Sequence, residues 1–150
     1  MEAIIFIGIQ AAGKSTYYKQ NFVDTHVRLN RDMLRTKHRE AVLLRACLEA
    51  RQPFVVDNTN VTREARAPYV AAAKAAGFRV VGYYFQTGVA DALRRNAARA
   101  GRQLVPVKGL LGTHARLQPP DRAEGFDLIF VVRPGDGGSF DTAPWPAPAP

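Results

Sequence analysis

Residues Gly8-Ile9-Gln10-Ala11-Ala12-Gly13-Lys14-Ser15 match the pattern G-x-x-x-x-G-K-[ST] with no mismatch. Directly before them, Ala3-Ile4-Ile5-Phe6-Ile7 is a short Ile-rich apolar run, as a buried parallel strand requires. Directly after them, Thr16-Tyr17-Tyr18-Lys19-Gln20 can continue as a helix. A strand, a glycine loop and a helix start in that order converge backbone N–H groups on an anion at the positive end of a helix dipole. Gly8 and Gly13 permit backbone angles and a phosphate approach that a side chain would block. Lys14 supplies a cation for the outer phosphates, and Ser15 a hydroxyl ligand for Mg²⁺. The motif therefore predicts a site for a nucleoside triphosphate.

The rest of the chain alternates strand and helix signals. Residues 26–29 read as a short second strand, followed by Asn30-Arg31-Asp32 and a helical pattern over about 33–51. Residues 53–57 (PFVVD) form a strand signal ending in a carboxylate. Thr62 is an N-cap candidate for a helix to about Ala76, stopped by Gly77. A strand is expected over 78–85, and Thr87 is a candidate cap for a helix through Ala100, stopped by Gly101. A basic loop over 102–106, a weaker helix around 107–117 and a final strand over 126–132 complete the pattern. The expected fold class is α/β, a parallel sheet of about five strands with helices on both faces. The expected domain spans 1–133. The Gly-, Pro- and Ala-rich residues 134–150 are expected to form an extended, mobile tail. Gly8, Asp32 and Asp57 all fall at carboxyl ends of strands, where α/β sheets bind ligands.

At 150 residues, with 47% apolar and 23% charged, the chain suits one globular domain. It has no apolar run of about eighteen residues, so no membrane helix is expected. The absence of an export signal and the lone Cys47, expected to be a buried structural thiol, favour the cytoplasm. The net charge of +8, from 21 basic and 13 acidic residues, suits a polyanionic partner; an Arg- and Ala-rich composition offers a bland alternative. No protein partner is implied, and the scattered histidines and cysteine show no metal-ligand spacing.

Three clusters lie beyond the glycine loop. Asp57 ends an apolar strand, where phosphate-loop enzymes often keep a carboxylate that holds Mg²⁺. Asn58, Thr59 and Asn60 after it either bond a substrate or shape the turn. Asp32 and Arg35 would share a face of a helix that starts near Asp32. From spacing alone, a helix-start carboxylate with an intrahelical ion pair accounts for both. Arg95 and Arg99 would share a helical face, with Arg102 three further on. Such a run is either a solvated basic face or a set of arginines that stabilises a moving phosphoryl group.

Taken together, residues 8–16, Leu29-Asn30-Arg31-Asp32-Met33-Leu34-Arg35, Val56-Asp57-Asn58-Thr59-Asn60, Arg94-Arg95-Asn96 with Arg99, and Val105-Pro106 resemble the polynucleotide 5′-kinase family of P-loop phosphotransferases. The resemblance implies a P-loop kinase fold and transfer of the γ-phosphate of ATP to a 5′-hydroxyl end of DNA or RNA. It implies Asp32 as general base and Arg35 on the acceptor's 3′-phosphate. It further implies Lys14 and Ser15 on the β- and γ-phosphates and metal, Asp57 beside the metal, and Arg99, supported by Arg95, clamping the donor phosphates. The loop residues Gly8, Gln10, Ala11, Ala12, Gly13, Lys14, Ser15 and Thr16 would line the ATP site, and Ser15 with Asp57 the Mg²⁺ site. The segment between Arg35 and Pro53 is short for that family, so a reduced acceptor-binding region is expected; related P-loop proteins with similar motifs phosphorylate small metabolites or nucleosides, which makes a small-molecule acceptor the main alternative. A nucleotide-gated binding module is the third.

Overall fold

The computed structural model describes residues 1–101 and 104–146; Arg102 and the end of the expected tail, 147–150, lie outside the described residues. In chain order the elements are β1 (Glu2–Ile7), α1 (Lys14–Asn21), β2 (Val27–Leu29), α2 (Arg31–Leu34), α3 (Lys37–Ala50), β3 (Phe54–Val56), α4 (Arg63–Ala75), β4 (Arg79–Phe85), α5 (Val89–Ala97), α6 (Val107–Arg116), β5 (Leu128–Pro134) and β6 (Phe140–Pro144). They form one six-stranded sheet in the order β2-β3-β1-β4-β5-β6. The pairings from β2 to β5 are parallel, and β6 joins β5 antiparallel.

The apolar runs explain which strands lie inside. Residues 3–7 of β1 are at most 1% exposed, because β1 is covered on both faces and flanked by β3 and β4. One core layer packs Ile5, Ile7, Leu29, Val56, Tyr69 and Val80. The other packs Phe6 and Phe85 with Tyr17 and Phe22, the Phe6 and Phe85 rings meeting edge-on at 4.8 Å. Cys47 is buried in the first layer, as expected of a structural thiol.

Local chemistry set several boundaries as expected. Thr62 Oγ1 accepts from the Ala65 N–H at 3.1 Å and caps α4, and Gly77 follows that helix at φ 79°. Others differ. The single helix expected over 33–51 is broken at Arg35, whose φ is 77°; Thr36 then caps a new helix by accepting from the Arg39 N–H at 3.1 Å. Asp32 and Arg35 therefore do not share a helical face. Thr87 is not a cap: Gly88 takes that position, and the Thr87 hydroxyl points to the Ala12 carbonyl at 3.5 Å.

The largest correction concerns the expected tail. Residues 134–144 turn back through Gly137 and Gly138, both at positive φ, and lay β6 along the free edge of β5. An edge strand tolerates the proline that a central strand rejects. The sheet thus has six strands rather than five. Among the described residues, no helix is long and apolar enough to cross a membrane.

Candidate active site

The glycine loop leaves the carboxyl end of β1 between β3 and β4. A Cβ on Gly8 would sit 2.9 Å from Phe85 Cβ, so packing against β4 excludes a side chain there. Gly13 has φ 94° and starts α1 with no side-chain cap, which leaves the first-turn N–H groups to the loop's concavity. Ala11 also takes a left-handed φ of 62°, a strain costing about 1 kcal/mol for a residue with a Cβ. Ala12 is buried and Thr16 exposed. Gln10 Nε2 donates to Thr113 Oγ1 at 3.0 Å and ties the loop to α6.

Lys14 is buried, and its Nζ donates to the Gly8 and Ile9 carbonyls at 2.9 and 2.6 Å. The ammonium is thus folded over the loop that precedes it. Burial lowers it to about 8; the charge of Asp57 opposes the fall, Arg99 adds to it and Asp32 opposes it. Arg99 is itself pushed down by burial and held up by Asp32. These mutual influences bring Lys14, Asp32, Asp57 and Arg99, four sites named from the sequence, into one electrostatic neighbourhood. Asp32 is exposed on α2.

The Asp57-Asn58-Thr59-Asn60 turn distributes its roles residue by residue. Asp57 is 1% exposed, and its Oδ2 accepts from Ser15 Oγ at 3.3 Å. Asn58 Oδ1 accepts from the Arg31 N–H at 2.9 Å and its Nδ2 donates to Glu40. The Thr59 carbonyl accepts from the Gly8 N–H at 2.9 Å. Asn60, at φ 46°, donates to the Phe6 carbonyl at 2.9 Å. Asn58 and Asn60 therefore shape the turn and register it against β1 and α2. Asn30 does the same from the N-cap of α2: its Nδ2 donates to the Asp57 carbonyl, and its Oδ1 accepts from the Met33 N–H at 2.9 Å.

The arginines come from α5 and its exit. The guanidinium of Arg95 lies over the glycine loop, 3.1 Å from where a Cβ of Gly13 would be. Arg94 pairs with Asp91 on the exposed side of the same helix. The helix ends at Ala97, so Arg99 lies in the following loop rather than on a shared helical face with Arg95. That loop is anchored by Asn96, 2% exposed, which donates to the Val105 carbonyl at 2.6 Å and accepts from the Val105 N–H at 2.9 Å. Arg35 is exposed beside α2.

Sequence reasoning missed four contributors. Arg28 in β2 donates from Nε to Asp57 Oδ2 at 2.8 Å and from Nη2 to Ser15 Oγ at 2.8 Å. Glu40, 4% exposed, accepts from Arg31, Asn58 and the Tyr69 hydroxyl. Arg66, fully buried, bonds Glu124 and also donates to the Asn60 and Gln118 carbonyls at 2.9 and 3.0 Å. Phe140 of β6 brings its ring within 2.8 Å of a would-be Gly13 Cβ. Only Arg28 carried a usable signal, a charged residue inside a strand that ends at the ligand edge.

Ser15 and Asp57 offer a hydroxyl and a carboxylate oxygen side by side, the hard donors that Mg²⁺ takes. Among the described residues no cluster of three or more His, Cys, Asp or Glu forms a cage. A site of one carboxylate and one hydroxyl suits an ion that keeps waters and shares substrate phosphates.

Comparison with known proteins matches residues 35–120 to the family described as AAA domain. A bifunctional polynucleotide phosphatase/kinase of Schizosaccharomyces pombe is 26% identical over 135 residues, covering 87% of this chain and 33% of that protein. The chain thus spans about a third of the length of this curated relative. Chaetomium thermophilum Kti12, solved in complex with ADP-AlF3, superposes with a TM-score of 0.67 at 15% identity, covering 87% of this chain and 88% of that one. A gluconokinase from Sinorhizobium meliloti superposes at 0.60 with 19% identity, covering 88% of this chain and 82% of that one. The shared architecture is a P-loop kinase-like α/β fold.

Proposed function

The chain belongs to the AAA domain family, and from that premise we propose that it is an ATP-dependent phosphotransferase acting on 5′-hydroxyl ends of DNA or RNA. The observation that carries this reading is the glycine loop with Lys14 buried over it and Ser15 bonded to Asp57, close enough to Asp32 and Arg99 for their charges to act on Lys14. In this reading the Asp32 carboxylate would face the terminal phosphate of a triphosphate seated on the loop. It can accept the proton of an attacking hydroxyl. Likeness to a polynucleotide phosphatase/kinase over 135 residues supports a polynucleotide acceptor, as does the net charge of +8.

In this reading the first-turn N–H groups of α1 and Lys14 bind the β- and γ-phosphates. Arg95 and Arg99 neutralise charge on the transferred group, a contribution of about 10³-fold or more where arginines play that part. Arg35 holds the acceptor's phosphate. Ser15 and Asp57 would hold Mg²⁺, which when bound would draw charge from the phosphate oxygens. Little covalent chemistry is asked of the protein; it aligns acceptor and leaving group and screens their charge.

The direct test is incubation with γ-labelled ATP and 5′-hydroxyl DNA and RNA oligonucleotides. Label transfer that weakens steeply as salt rises is expected. No transfer to any oligonucleotide overturns the acceptor assignment. Transfer to a small alcohol with salt-insensitive KM would make this a small-molecule kinase. ATP binding with no acceptor turnover would leave a nucleotide-gated binding module.

A further inference from the structure

Arg28 is the middle residue of the edge strand β2, and one guanidinium there engages both oxygens assigned above to the divalent cation. Its Nε donates to Asp57 Oδ2 and its Nη2 to Ser15 Oγ, each at 2.8 Å. The Asp57 side chain is 2% exposed and that of Arg28 is 23% exposed. Ser15 Oγ also donates to Asp57 Oδ2, at 3.3 Å, so that carboxylate oxygen already receives two hydrogen bonds. A buried carboxylate without a counter-charge is costly, and the fork of an arginine meets that need in a fixed geometry. A divalent ion needs the same lone pairs.

We propose that Arg28 is an internal counter-cation that occupies the metal-binding oxygens of Ser15 and Asp57 and is exchanged for the metal when nucleotide and metal enter together. The inference rests on the metal role given to Ser15 and Asp57 above. In this same paired position the Arg28 Cζ lies 5.8 Å from the centre of the Tyr18 ring, so the aromatic face already shares in holding the guanidinium. The consequence is ordered binding. Metal alone competes against a tethered arginine and binds weakly. With a triphosphate bound as well, phosphate oxygens would help to hold the metal, and Arg28 would yield Ser15 and Asp57 to it. The protein then carries no loosely held divalent ion between turnovers, and Asp57 keeps a partner throughout.

The test titrates Mn²⁺ into nucleotide-free protein and reads free Mn²⁺ by electron paramagnetic resonance. Wild type, Arg28→Met, Arg28→Lys and the Arg28→Met/Asp57→Asn double variant are compared. Arg28→Met should bind Mn²⁺ about ten-fold or more tightly than wild type, and the double variant should lose that gain. Arg28→Lys keeps the charge and the pairing of Asp57 but loses the fork to Ser15, so a smaller gain is expected in a variant that still folds. Melting temperature should rise with Mn²⁺ in Arg28→Met and stay flat in wild type. Equal Mn²⁺ affinity in wild type and both single variants overturns the exchange. A parallel titration with ADP present separates the two layers. Mn²⁺–ADP binding that persists while the Arg28 variants show no gain removes only this inference. Mn²⁺ binding insensitive to Asp57→Asn even with ADP removes the metal assignment beneath it.

Discussion

Asp32 carries the sharpest consequence of a single side chain. It is exposed, so its removal disturbs no packing, yet its charge is felt at both Lys14 and Arg99. A residue that only capped a helix or solvated a surface would lose little when made neutral. If it accepts the proton of the attacking hydroxyl, Asp32→Asn should lower kcat by about 10²–10⁴-fold. ATP affinity and the melting temperature should stay near wild type, because the phosphate cradle is built from loop backbone and Lys14. Steady-state kinetics beside calorimetric ATP binding checks this; unchanged kcat would return Asp32 to the helix-start role that spacing alone favours. The loop residues were legible because each has a backbone or charge requirement tied to its type. Arg28 offered only the hint of a charge inside a strand; its role was not legible, since the contacts that define it run from β2 to Asp57 and Ser15, 29 and 13 residues away in sequence.

One step up, a single buried carboxylate ties together the elements that present Asp32. Glu40 sits in the first turn of α3 and receives hydrogen bonds from Arg31 on α2, Tyr69 on α4 and Asn58 in the turn after β3. Burial disfavours its ionised form, but the bonds from Tyr69, Asn58 and Arg31 outweigh that and hold the carboxyl below its ordinary value. Tyr69 is correspondingly pushed up to about 12, by burial first and then by Glu40. With a depressed folded-state value, Glu40 stabilises the fold above the unfolded carboxylate range near 4.5 and loses that contribution as pH falls through its folded value. Glu40→Gln should therefore be less stable than wild type at pH 6, and the gap should narrow progressively as the pH falls below 4.5. Urea midpoints of both proteins across that range test it; a gap independent of pH would place the loss in packing. The sequence pattern carried α3 straight through Arg35. Nothing in the periodicity marked the left-handed residue that separates α2 from α3, and a buried glutamate looks like any surface glutamate until α4 is folded against it. Thr62 and Gly77 were legible at their helix ends because capping is a local interaction.

For the molecule as a whole, the decisive element is β6, which composition argued against. Prolines and glycines disfavour a central strand, but on an edge the unpaired side of the ladder faces outward and proline costs little. What recruits the segment is long-range. Phe140 meets Tyr17 edge-on at 5.3 Å and lies against Gly13, and Thr142 shares a 3.0 Å hydrogen bond with the Tyr17 hydroxyl. Trp145 meets Tyr84 at 5.1 Å and donates from Nε1 to the Pro120 carbonyl at 3.2 Å. The segment thus braces α1, the helix that follows the phosphate loop, against β5. A dispensable tail would leave stability unchanged when removed. With β6 in place, deleting residues 140–150 should strip the cover from β5, lower the denaturation midpoint and expose an edge that associates. Trp145→Ala alone should cost about 2 kcal/mol or more, given the usual penalty for truncating a packed aromatic. Phe140→Ala should cost less stability but weaken ATP binding, because the ring lies on the loop rather than in the central core. Chemical denaturation, light scattering and nucleotide titration on the three variants decide between brace and tail: wild-type midpoints and affinities throughout would mean that the sheet ends functionally at β5.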